Sequence, residues 1–558
     1  MIDAPSIPHP TPLTEPAALR PGRGVERCLW FLLLAVLVIN APAFLCMGLD
    51  PDAMQWDLGT RTVLRGEIPY QDWKENNLPG MLWLHVLIRS LLGWRSEVLR
   101  AADGLIVLTL IWQLTRWLPS SASRNTRLGI AGVLLVFYLS TSEWCHCQRD
   151  VWMLLPALLA LSLRLRQVRR LSGPETRARR IMRKAFVEGI LWGIAFWIKP
   201  VVVVPAFLCW LLSARLVWLG DGSARKIFLD AGGVISGGLA CGAAGVSWLV
   251  AVGAWPSFAE ILFVWNREYI ATDVSGGHRW LLLAGFAIRF FPWLLIHFLA
   301  VPMAVGQIAN TMIRSRQTRE DDVQTLLAGF YLGWLLQAVC LQHLYDYVQI
   351  PPIFLGLTVV ACRYATSGRP FTRRLVPAMF LVFVLARFPA LCANRLNVWA
   401  RCCREGSTAA LRDRLTLLPK VSWSDLERVK SFLRDQRVGD GELSCTHMSA
   451  IHLYRELDVN PATPFAFLQS PLISFRSRQG ALFAEVAASR QRFLVCDAEG
   501  FGMEKLRAAL HWDEDPEYTP PPSLYPWSNR LVFRSGRYLV FRLSGSETQL
   551  WFQASSQL

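Results

Sequence analysis

The amino-acid sequence predicts a mainly α-helical, polytopic membrane protein with about eleven transmembrane helices, followed by a small C-terminal α/β domain. The composition is the first reason: the 558 residues are 53% hydrophobic, include 24 Trp and 29 Phe, and have a mean hydropathy of +0.30. Soluble domains rarely reach that balance. The second reason is the alternation of long apolar runs with short cationic loops. The third is a change after residue 393, where short mixed segments replace the long runs.

The formal net charge of +16 does not indicate a nucleic-acid partner. The cations concentrate between the apolar runs, as the positive-inside rule expects of a membrane protein. No nucleic-acid-binding motif accompanies them. We therefore expect membrane lipids, and no nucleic acid, around this chain.

The N-terminal 27 residues are rich in Pro and end in Arg20, Arg23 and Arg27. This pattern predicts a disordered cytoplasmic tail rather than a cleaved signal. Residues 28–47 are apolar and long enough to cross a hydrocarbon core of about 30 Å. Arginines precede this run and carboxylates follow it, so the first span should run from the inside to the outside. The loop that follows should then face outwards.

Ten further apolar runs predict the remaining spans. Their loops alternate between cationic, expected inside, and less cationic, expected outside. The odd total leaves the C-terminal domain, residues 394–558, outside the cytoplasmic membrane, after a transmembrane domain over 28–393 whose first outer loop is 48–95. The runs centre on residues 97–117, 128–143, 151–167, 186–198, 200–216, 231–254, 281–306, 325–342, 347–363 and 375–393, and the expected inside loops hold the cations of 116–127, 164–184, 225–226, 314–319 and 369–374.

The C-terminal domain shows short α and β signals. Ser424 and Glu427 have the spacing of a capping box at the start of an amphipathic helix. Residues 442–445 and 492–495 predict buried strands, residues 449–458 and 481–490 predict helices, and 530–542 predicts a hairpin turning at Ser535-Gly536. Cys402, Cys403, Cys445 and Cys496 are candidates for disulfides in an oxidising compartment, but the sequence does not pair them.

The loop over residues 50–80 is the densest polar segment, with six carboxylates and three cations beside a membrane span. Asp50 before Pro51 suits a helix N-cap, and Gly66 suits the far end of that helix. One interpretation is purely structural, with Asp50 and Asp52 merely starting a surface helix that lies on the membrane. The other interpretation is a site for chemistry.

The residues of this loop resemble a known family. Asp52, the run Gly66-Glu-Ile-Pro-Tyr-Gln-Asp72 and Leu78-Pro79-Gly80 are similar to the first outer loop of C-type (GT-C) membrane glycosyltransferases. The resembling group is the bacterial one related to protein O-mannosyltransferases and aminoarabinose transferases, including Rgt-like enzymes. Further similar segments follow in order: Gly93 to Arg100, Gln148-Arg149-Asp150, Gly193 to Pro200, and Tyr347 to Pro352. The chain departs from the family at Asn77-Leu78, where a Lys is often found, and at Asp346, where relatives often have His.

The resemblance implies transfer of a sugar from a polyprenyl-phosphate donor to an acceptor hydroxyl of a lipid, glycan or protein on the outer side of the cytoplasmic membrane. The phosphate leaves as an anion, whereas the hydroxyl must lose a proton, so one positioned carboxylate is the minimum equipment. By resemblance that base is Asp52, with inversion at the anomeric carbon, and Asp57 is the nearest rival. Asp150, at the mouth of a span, is the second candidate catalytic carboxylate; its structural alternative is an ion pair with Arg149.

The donor phosphate needs cations within reach. The candidates are Lys74, Arg61, Arg100, Lys199 and Arg279, although Lys199 at a helix end equally suits snorkelling to the interface. Candidate substrate-binding residues are Tyr70, Asp72, Tyr345, Asp346, Tyr347 and Gln349; the tyrosines of the later run also suit an aromatic belt.

We expect no cofactor and no metal, because Cys145-His-Cys147 has no second Cys/His pair at ligand spacing. Two other functions stay open. A transporter or flippase would show internal repeats and mid-span charges, and neither is evident. A catalytically inactive membrane scaffold would explain the missing Lys before Pro79.

Overall fold

The computed structural model describes residues 23–173, 177–273, 279–313, 318–366, 370–386, 393–418, 420–499 and 529–543. Most of the tail expected over residues 1–27 lies outside these ranges, as do Arg314, Arg316 and Arg369 of the expected inside loops. The first sixteen helices, which hold the predicted spans, are α1 (Arg23–Cys46), α2 (Pro51–Leu64), α3 (Gly80–Leu92), α4 (Ser96–Arg116), α5 (Arg124–Leu139), α6 (Arg149–Leu171), α7 (Ala178–Ile198), α8 (Val203–Asp221), α9 (Ala224–Ala251), α10 (Trp255–Glu260), α11 (Asn266–Asp273), α12 (Arg279–Arg289), α13 (Ile296–Ile313), α14 (Arg319–Cys340), α15 (Ile350–Thr366) and α16 (Pro370–Ala386).

The protein is a multi-pass membrane protein. Within the described residues, eight helices are long and apolar enough to cross a membrane, namely α1, α4, α6, α8, α9, α13, α14 and α15 with the short segments that precede some of them. All eleven predicted runs fall on helices, so the mainly α, polytopic class is confirmed. The three runs that do not meet the criterion fall on α5 and α16, with 16 and 17 residues, and on α7, whose first half is charged.

Small residues bring the membrane helices close together. A Cβ added at Gly237 of α9 would lie 2.0 Å from the backbone oxygen of Phe186 in α7, and one at Gly189 of α7 would lie 2.1 Å from the oxygen of Val234. Such contacts let helix backbones pack tightly where the hydrophobic effect gives little drive. A Cβ at Gly80 would likewise meet the Trp197 backbone at 2.4 Å. The loop over residues 50–80 is therefore joined to the end of α7.

The C-terminal part is a small α/β region, as predicted. Its sheet has the order β1-β2-β4-β3, with β1 parallel to β2 and the other pairs antiparallel. The predicted hairpin is present and turns at Gly536, which has a φ of +52°. The elements are α17 (Ala393–Glu405), α18 (Ala409–Leu415), α19 (Trp423–Asp435), α20 (His452–Leu457), α21 (Gln469–Ser474), α22 (Gln479–Ala488), β1 (Leu443–Cys445), β2 (Phe493–Asp497), β3 (Arg530–Ser535) and β4 (Tyr538–Arg542).

Helix α19 starts earlier than the capping-box prediction places it. Its N-cap position is Ser422, and the first backbone donors, at Trp423 and Ser424, are satisfied by the Asp413 carboxylate at 2.6 and 2.9 Å. A carboxylate from the preceding helix α18 thus replaces the local cap predicted from Ser424 and Glu427, and that prediction was wrong. The four cysteines proposed for disulfides, Cys402, Cys403, Cys445 and Cys496, are free thiols in the structure.

One hydrophobic core runs from the membrane helices into the C-terminal part. Trp423 and Val429 of α19 belong to the same buried cluster as Met54 of α2 and Trp152 of α6. The Trp423 ring lies so close to Gly48 that a Cβ there would be 2.3 Å away. This packing places the C-terminal part over the start of α2.

Candidate functional site

Helix α2 begins at Pro51 because the preceding residue, Asp50, caps it. The Asp50 Oδ1 accepts the Asp52 backbone N–H at 3.0 Å, and Pro51 fills the first helical position, where no donor is needed. The helix ends just before Gly66, whose φ is +78°. Most of the residues of α2 are buried. The interpretation of α2 as a helix merely lying on the membrane surface is therefore wrong.

Asp50 itself is a buried structural carboxylate. Burial raises its pKa to about 7, and the nearby charge of Asp52 adds to that rise, against the attraction of Lys420. The Lys420 Nζ lies 3.4 Å from the Asp50 Oδ2. Because Lys420 comes from the segment before α19, this pair joins the C-terminal part to the start of α2.

Asp52 is held by two neutral donors. The indole N–H of Trp144 and the side-chain amide of Gln148 both donate to its Oδ2, each at 3.3 Å. Among the residues that the structure describes, Asp52 has no ion-pair partner. The second carboxylate oxygen, Oδ1, is thus left for another proton donor.

Asp52 lines a cavity of about 370 Å³ between the membrane helices and the C-terminal part. The cavity wall combines carboxylates, cations, amides and aromatic rings, a mixture typical of small-molecule sites. Its lining residues include Asp52, Gln55, Trp56, Lys74, Glu75, Asn77, Trp144, Gln148, Arg149, Trp265, Tyr269, Tyr345, Tyr347, Lys420, His447, Phe465 and Gln469.

Three cations reach this cavity. Arg149, at the start of α6, donates to the Asn77 side-chain oxygen, and its guanidinium lies 5.7 Å from the Trp56 ring. Lys74 pairs with Glu485 at 2.8 Å, and Lys420 pairs with Asp50. Among the described residues, Arg149 bonds a neutral amide whereas Lys74 and Lys420 pair with carboxylates, so the charge of Arg149 is not offset by a bonded carboxylate.

A second carboxylate of the cavity is Glu75. It is 4% exposed, and burial raises its pKa despite the charge of Arg149. The side-chain amides of Gln55 and Asn77 donate to its two different oxygens. Both oxygens are therefore occupied, in contrast to the arrangement at Asp52.

Aromatic rings form one wall of the cavity. The Trp144 ring lies 5.5 Å from Tyr345 and 5.8 Å from Tyr347. On the other side, the Trp265 and Phe465 rings stack at 6.4 Å. Flat, partly apolar surfaces of this kind suit the faces of a sugar ring.

Asp150 lies behind the cavity, in the first turn of α6. It is fully buried, and its Oδ2 accepts the Lys199 Nζ at 2.7 Å. The ion pair with the adjacent Arg149, which was the structural alternative for Asp150, is not formed; Lys199, at the end of α7, is the partner instead. The Lys199 Nζ also lies 5.6 Å from the Tyr347 ring, which lines the cavity. Lys199 therefore points back into the protein, and snorkelling does not describe it.

The structure does not bring Asp57, Arg61 or Arg100 to the cavity lining. Asp57 faces the other side of α2, where it binds Arg89 and His85. Arg61 donates to the backbone oxygens of Tyr454 and Val459 and pairs with Asp458. Arg100 is buried and donates to the Gly48 backbone and to His146. The side chain of Arg279, at the start of α12, lies outside the described part of the chain.

The remaining predicted substrate residues divide in the same way. Tyr345 and Tyr347 line the cavity, whereas Tyr70, Asp72, Asp346 and Gln349 do not. The Tyr70 hydroxyl donates to the Asn77 backbone oxygen at 2.8 Å, and Asp72 accepts the Ile68 N–H at 2.7 Å, so both shape the loop. Asp346 pairs with Arg289 at 2.7 Å, and Gln349 is buried.

Sequence reasoning missed several cavity residues. Arg149 had a signal, because a cation in the first turn of a helix opposes the helix dipole and needs another reason to be there. Glu75 lay within the polar loop but was not singled out. Lys420, His447 and Phe465 come from the C-terminal part, and only the folded chain shows that they reach Asp52. Among the described residues, no group of three or more His, Cys, Asp and Glu side chains is placed to hold a metal ion.

No family model matches this sequence, and no curated protein matches it significantly. Solved structures do resemble its fold. ArnT from Cupriavidus metallidurans in the apo state aligns with a TM-score of 0.53 at 15% identity, over 94% of this chain and 99% of that chain. ArnT bound to undecaprenyl phosphate gives 0.48 at 14% identity, over 93% and 98%. The archaeal oligosaccharyltransferase AglB from Archaeoglobus fulgidus, in complex with an inhibitory peptide and a dolichol-phosphate, gives 0.44 at 11% identity, over 86% and 71%.

The apo ArnT alignment spans nearly all of both chains, so the two proteins share a fold. At 15% identity this similarity concerns the fold alone. The resemblance to C-type membrane glycosyltransferases, predicted from the sequence, is confirmed at the level of the fold.

Proposed function

We propose that this protein is a membrane glycosyltransferase. In this proposal it moves a sugar from a polyprenyl-phosphate donor to an acceptor hydroxyl, with inversion and with Asp52 as the general base. One observation carries the proposal: Asp52 lines a polar and aromatic cavity in a GT-C fold, held by Trp144 and Gln148 through a single carboxylate oxygen. The other oxygen is then available to accept the proton of an attacking hydroxyl.

The choice of Asp52 over the other carboxylates rests on geometry. Asp57 is turned away from the cavity and is bonded to Arg89, and Asp150 is fully buried against Lys199. Glu75 lines the cavity, but amides occupy both of its oxygens. Each Glu75 oxygen thus already accepts a hydrogen bond, whereas the Asp52 Oδ1 accepts none from the described residues.

Arg149 is the main phosphate-binding residue in this proposal. A guanidinium can bind two phosphate oxygens at once, and its donation to a neutral amide leaves its charge uncompensated by a bonded carboxylate. Lys74 supplies a second cation at the cavity, where the phosphate would replace Glu485 as its partner. Lys199, on the far side of the Tyr347 ring, adds positive electrostatic potential to the cavity. This set takes the place of the Lys that the family often has before Pro79.

The phosphate departs as a stable anion and needs no acid, so bond cleavage and attack can be concerted. The hydroxyl oxygen bonds to the anomeric carbon as the carbon–phosphate oxygen bond breaks, and Asp52 takes the hydroxyl proton. Trp144, Tyr345 and Tyr347 are placed to hold the sugar ring in this geometry. In this proposal the cavity faces the outer side of the cytoplasmic membrane, which is the orientation that the positive-inside rule predicts from the loop charges.

The test compares purified wild type, Asp52→Asn and Glu75→Gln in detergent. Each is given radiolabelled polyprenyl-phosphate sugars and a membrane-lipid acceptor extract, with and without EDTA. The proposal predicts label transfer by wild type and by Glu75→Gln, and loss of about 10²-fold or more in Asp52→Asn. Equal transfer by wild type and Asp52→Asn would remove Asp52 as the base. No transfer from any donor by any of the three proteins would count against glycosyl transfer.

A second variant tests the phosphate role. Arg149→Gln should raise the KM for the donor and leave the thermal unfolding temperature close to that of wild type, because the lost partner is a neutral amide. A donor KM that is unchanged in this variant would contradict the assignment of Arg149.

A further inference from the structure

A second cavity, of about 670 Å³, lies among the ends of α4, α6 and α14 and the loop between α4 and α5. We propose that it binds the anionic headgroup of a phospholipid. The residues that carry this proposal are Trp112, Arg116, Leu159, Arg166, Arg169 and Glu320. This site is separate from the cavity at Asp52 and plays no part in the proposed reaction.

The two cavities lie at opposite ends of the same helix. Asp150 is in the first turn of α6, beside the first cavity, whereas Arg166 of the second cavity follows 16 residues later. At 1.5 Å per residue these positions are about 24 Å apart along the axis, which is most of a hydrocarbon core. The second cavity therefore opens near the other face of the membrane.

Positive charge dominates this cavity. Four arginines line it, Arg116, Arg127, Arg166 and Arg169, against one carboxylate, Glu320. Arg127 is committed to the loop, since it donates to backbone oxygens that include Pro119 at 2.6 Å.

Glu320 accepts the Ser120 hydroxyl at 2.6 Å. Arg116 and Arg166 are exposed, so two guanidinium groups remain accessible at the rim. Guanidinium groups are suited to phosphate because they form paired hydrogen bonds.

The wall next to these arginines is apolar and faces outwards. Trp112 is 54% exposed and Leu159 is 37% exposed, and both belong to helices that qualify as membrane spans. The Arg116 guanidinium lies 4.6 Å from the Trp112 ring, so the cation and the exposed aromatic surface are adjacent. A ligand that combines a phosphate with acyl chains satisfies both features, whereas a free phosphate leaves the apolar wall bare.

The charge pattern also favours a lipid of the inner leaflet. The arginines of this cavity belong to the segments 116–127 and 164–184, which the positive-inside rule places in the cytoplasm. The cytoplasmic leaflet carries anionic phospholipids, and basic pockets between spans on that side bind their headgroups.

The test measures phospholipid binding to the purified full-length protein by native mass spectrometry. Phosphatidylglycerol and phosphatidylethanolamine are the probes, and inorganic phosphate is the competitor. Arg116→Gln/Arg166→Gln is compared with Arg170→Gln/Arg179→Gln, which removes the same charge from exposed arginines that do not line the cavity. The single variant Arg166→Gln serves as a second probe, and thermal unfolding verifies that each variant is folded.

We expect wild type to prefer phosphatidylglycerol, and the Arg116/Arg166 variant to bind it about tenfold more weakly or worse, with the control unchanged. Equal affinity for the two lipids in wild type, or the same loss in both double variants, would overturn the proposal. Displacement of phosphatidylglycerol by millimolar inorganic phosphate would also overturn it, because the site would then recognise a free anion.

Discussion

Replacing Asp57 with Asn should destabilise the protein without removing a catalytic group. Asp57 is 1% exposed and lies in a buried charge cluster. Its Oδ1 accepts the Arg89 Nε at 2.8 Å and the His85 Nδ1 lies 2.9 Å away, while its Oδ2 accepts the Arg89 Nη2 at 2.6 Å. The Arg455 Nη1, from α20, is 3.6 Å from Oδ2. The cluster thus joins α2 and α3 to the C-terminal part.

The magnitude follows from burial. The Asn side chain keeps the volume but removes the charge, which leaves the Arg89 guanidinium buried without its counter-ion. Breaking a buried pair in this way costs about 3–5 kcal/mol. The thermal unfolding temperature, followed by tryptophan fluorescence in detergent, should fall by about 3–4 °C in a chain of this length. Asp72→Asn is the matched control, because Asp72 is exposed and its side chain accepts, among the described residues, only a local backbone N–H. The unfolding temperature of this control should stay near that of wild type.

The stabilisation that Asp57 provides should also depend on pH. Burial alone would raise the pKa of Asp57, but the hydrogen bonds and charges of His85 and Arg89 outweigh burial and hold this pKa below its usual range. A lowered pKa means that the stabilisation is present above the unfolded-state value, near pH 4, and is lost as the pH falls through the folded-state pKa. The difference between wild type and Asp57→Asn should therefore shrink below about pH 4.

The double variant Asp57→Asn/Arg89→Met should be more stable than Asp57→Asn alone, because it leaves no unpaired buried charge. An Asp57→Asn variant with wild-type stability and no glycosyl transfer would refute this reasoning and make Asp57 the base.

Three further predictions concern packing, the second cavity carboxylate and the buried ion pair. Gly237→Ala should lower the yield and unfolding temperature, because its methyl group would lie 2.0 Å from a backbone oxygen of α7, whereas Gly232→Ala, with nothing within 4 Å, should behave like wild type; equal behaviour would refute the close packing. Glu75→Gln should lower transfer by less than about tenfold if Asp52 is the base, as proposed, and a larger loss with normal stability would point to Glu75. Lys199→Met should lower the unfolding temperature, because Asp150 is left buried and unpaired at a cost of about 3 kcal/mol. The double variant Asp150→Asn/Lys199→Met should recover part of the lost stability. No recovery would contradict an ion pair formed by these two residues alone.

Local patterns predicted much of the fold. The cap formed by Asp50 and Pro51 and the end of α2 at Gly66 follow from backbone chemistry within a few residues, and both are present. The eleven apolar runs predicted helices because hydrophobic length is itself the membrane signal. The hairpin at Gly536 followed from a turn residue between two β-rich segments.

The site was only partly predictable, because its residues meet through long-range packing. Nothing within the polar loop shows that Asp57 faces away from the cavity while Asp52 faces it; that depends on which side of α2 packs against α3. The partner of Asp150 comes from the end of α7, so the adjacent Arg149 was the wrong expectation. Lys420 and Phe465 belong to a part of the chain more than 300 residues after Asp52, and a single sequence holds no signal for that contact.

The central claim is that Asp52 removes a proton during glycosyl transfer and does not bind the donor. The most direct measurement separates these steps, by determining both the donor Kd and the transfer rate at saturating donor for wild type and Asp52→Asn. We predict an unchanged Kd and a transfer rate lowered by about 10²- to 10⁴-fold, as expected for loss of a general base. A raised Kd with an unchanged rate at saturation would make Asp52 a binding residue, and unchanged values of both would exclude it from the site.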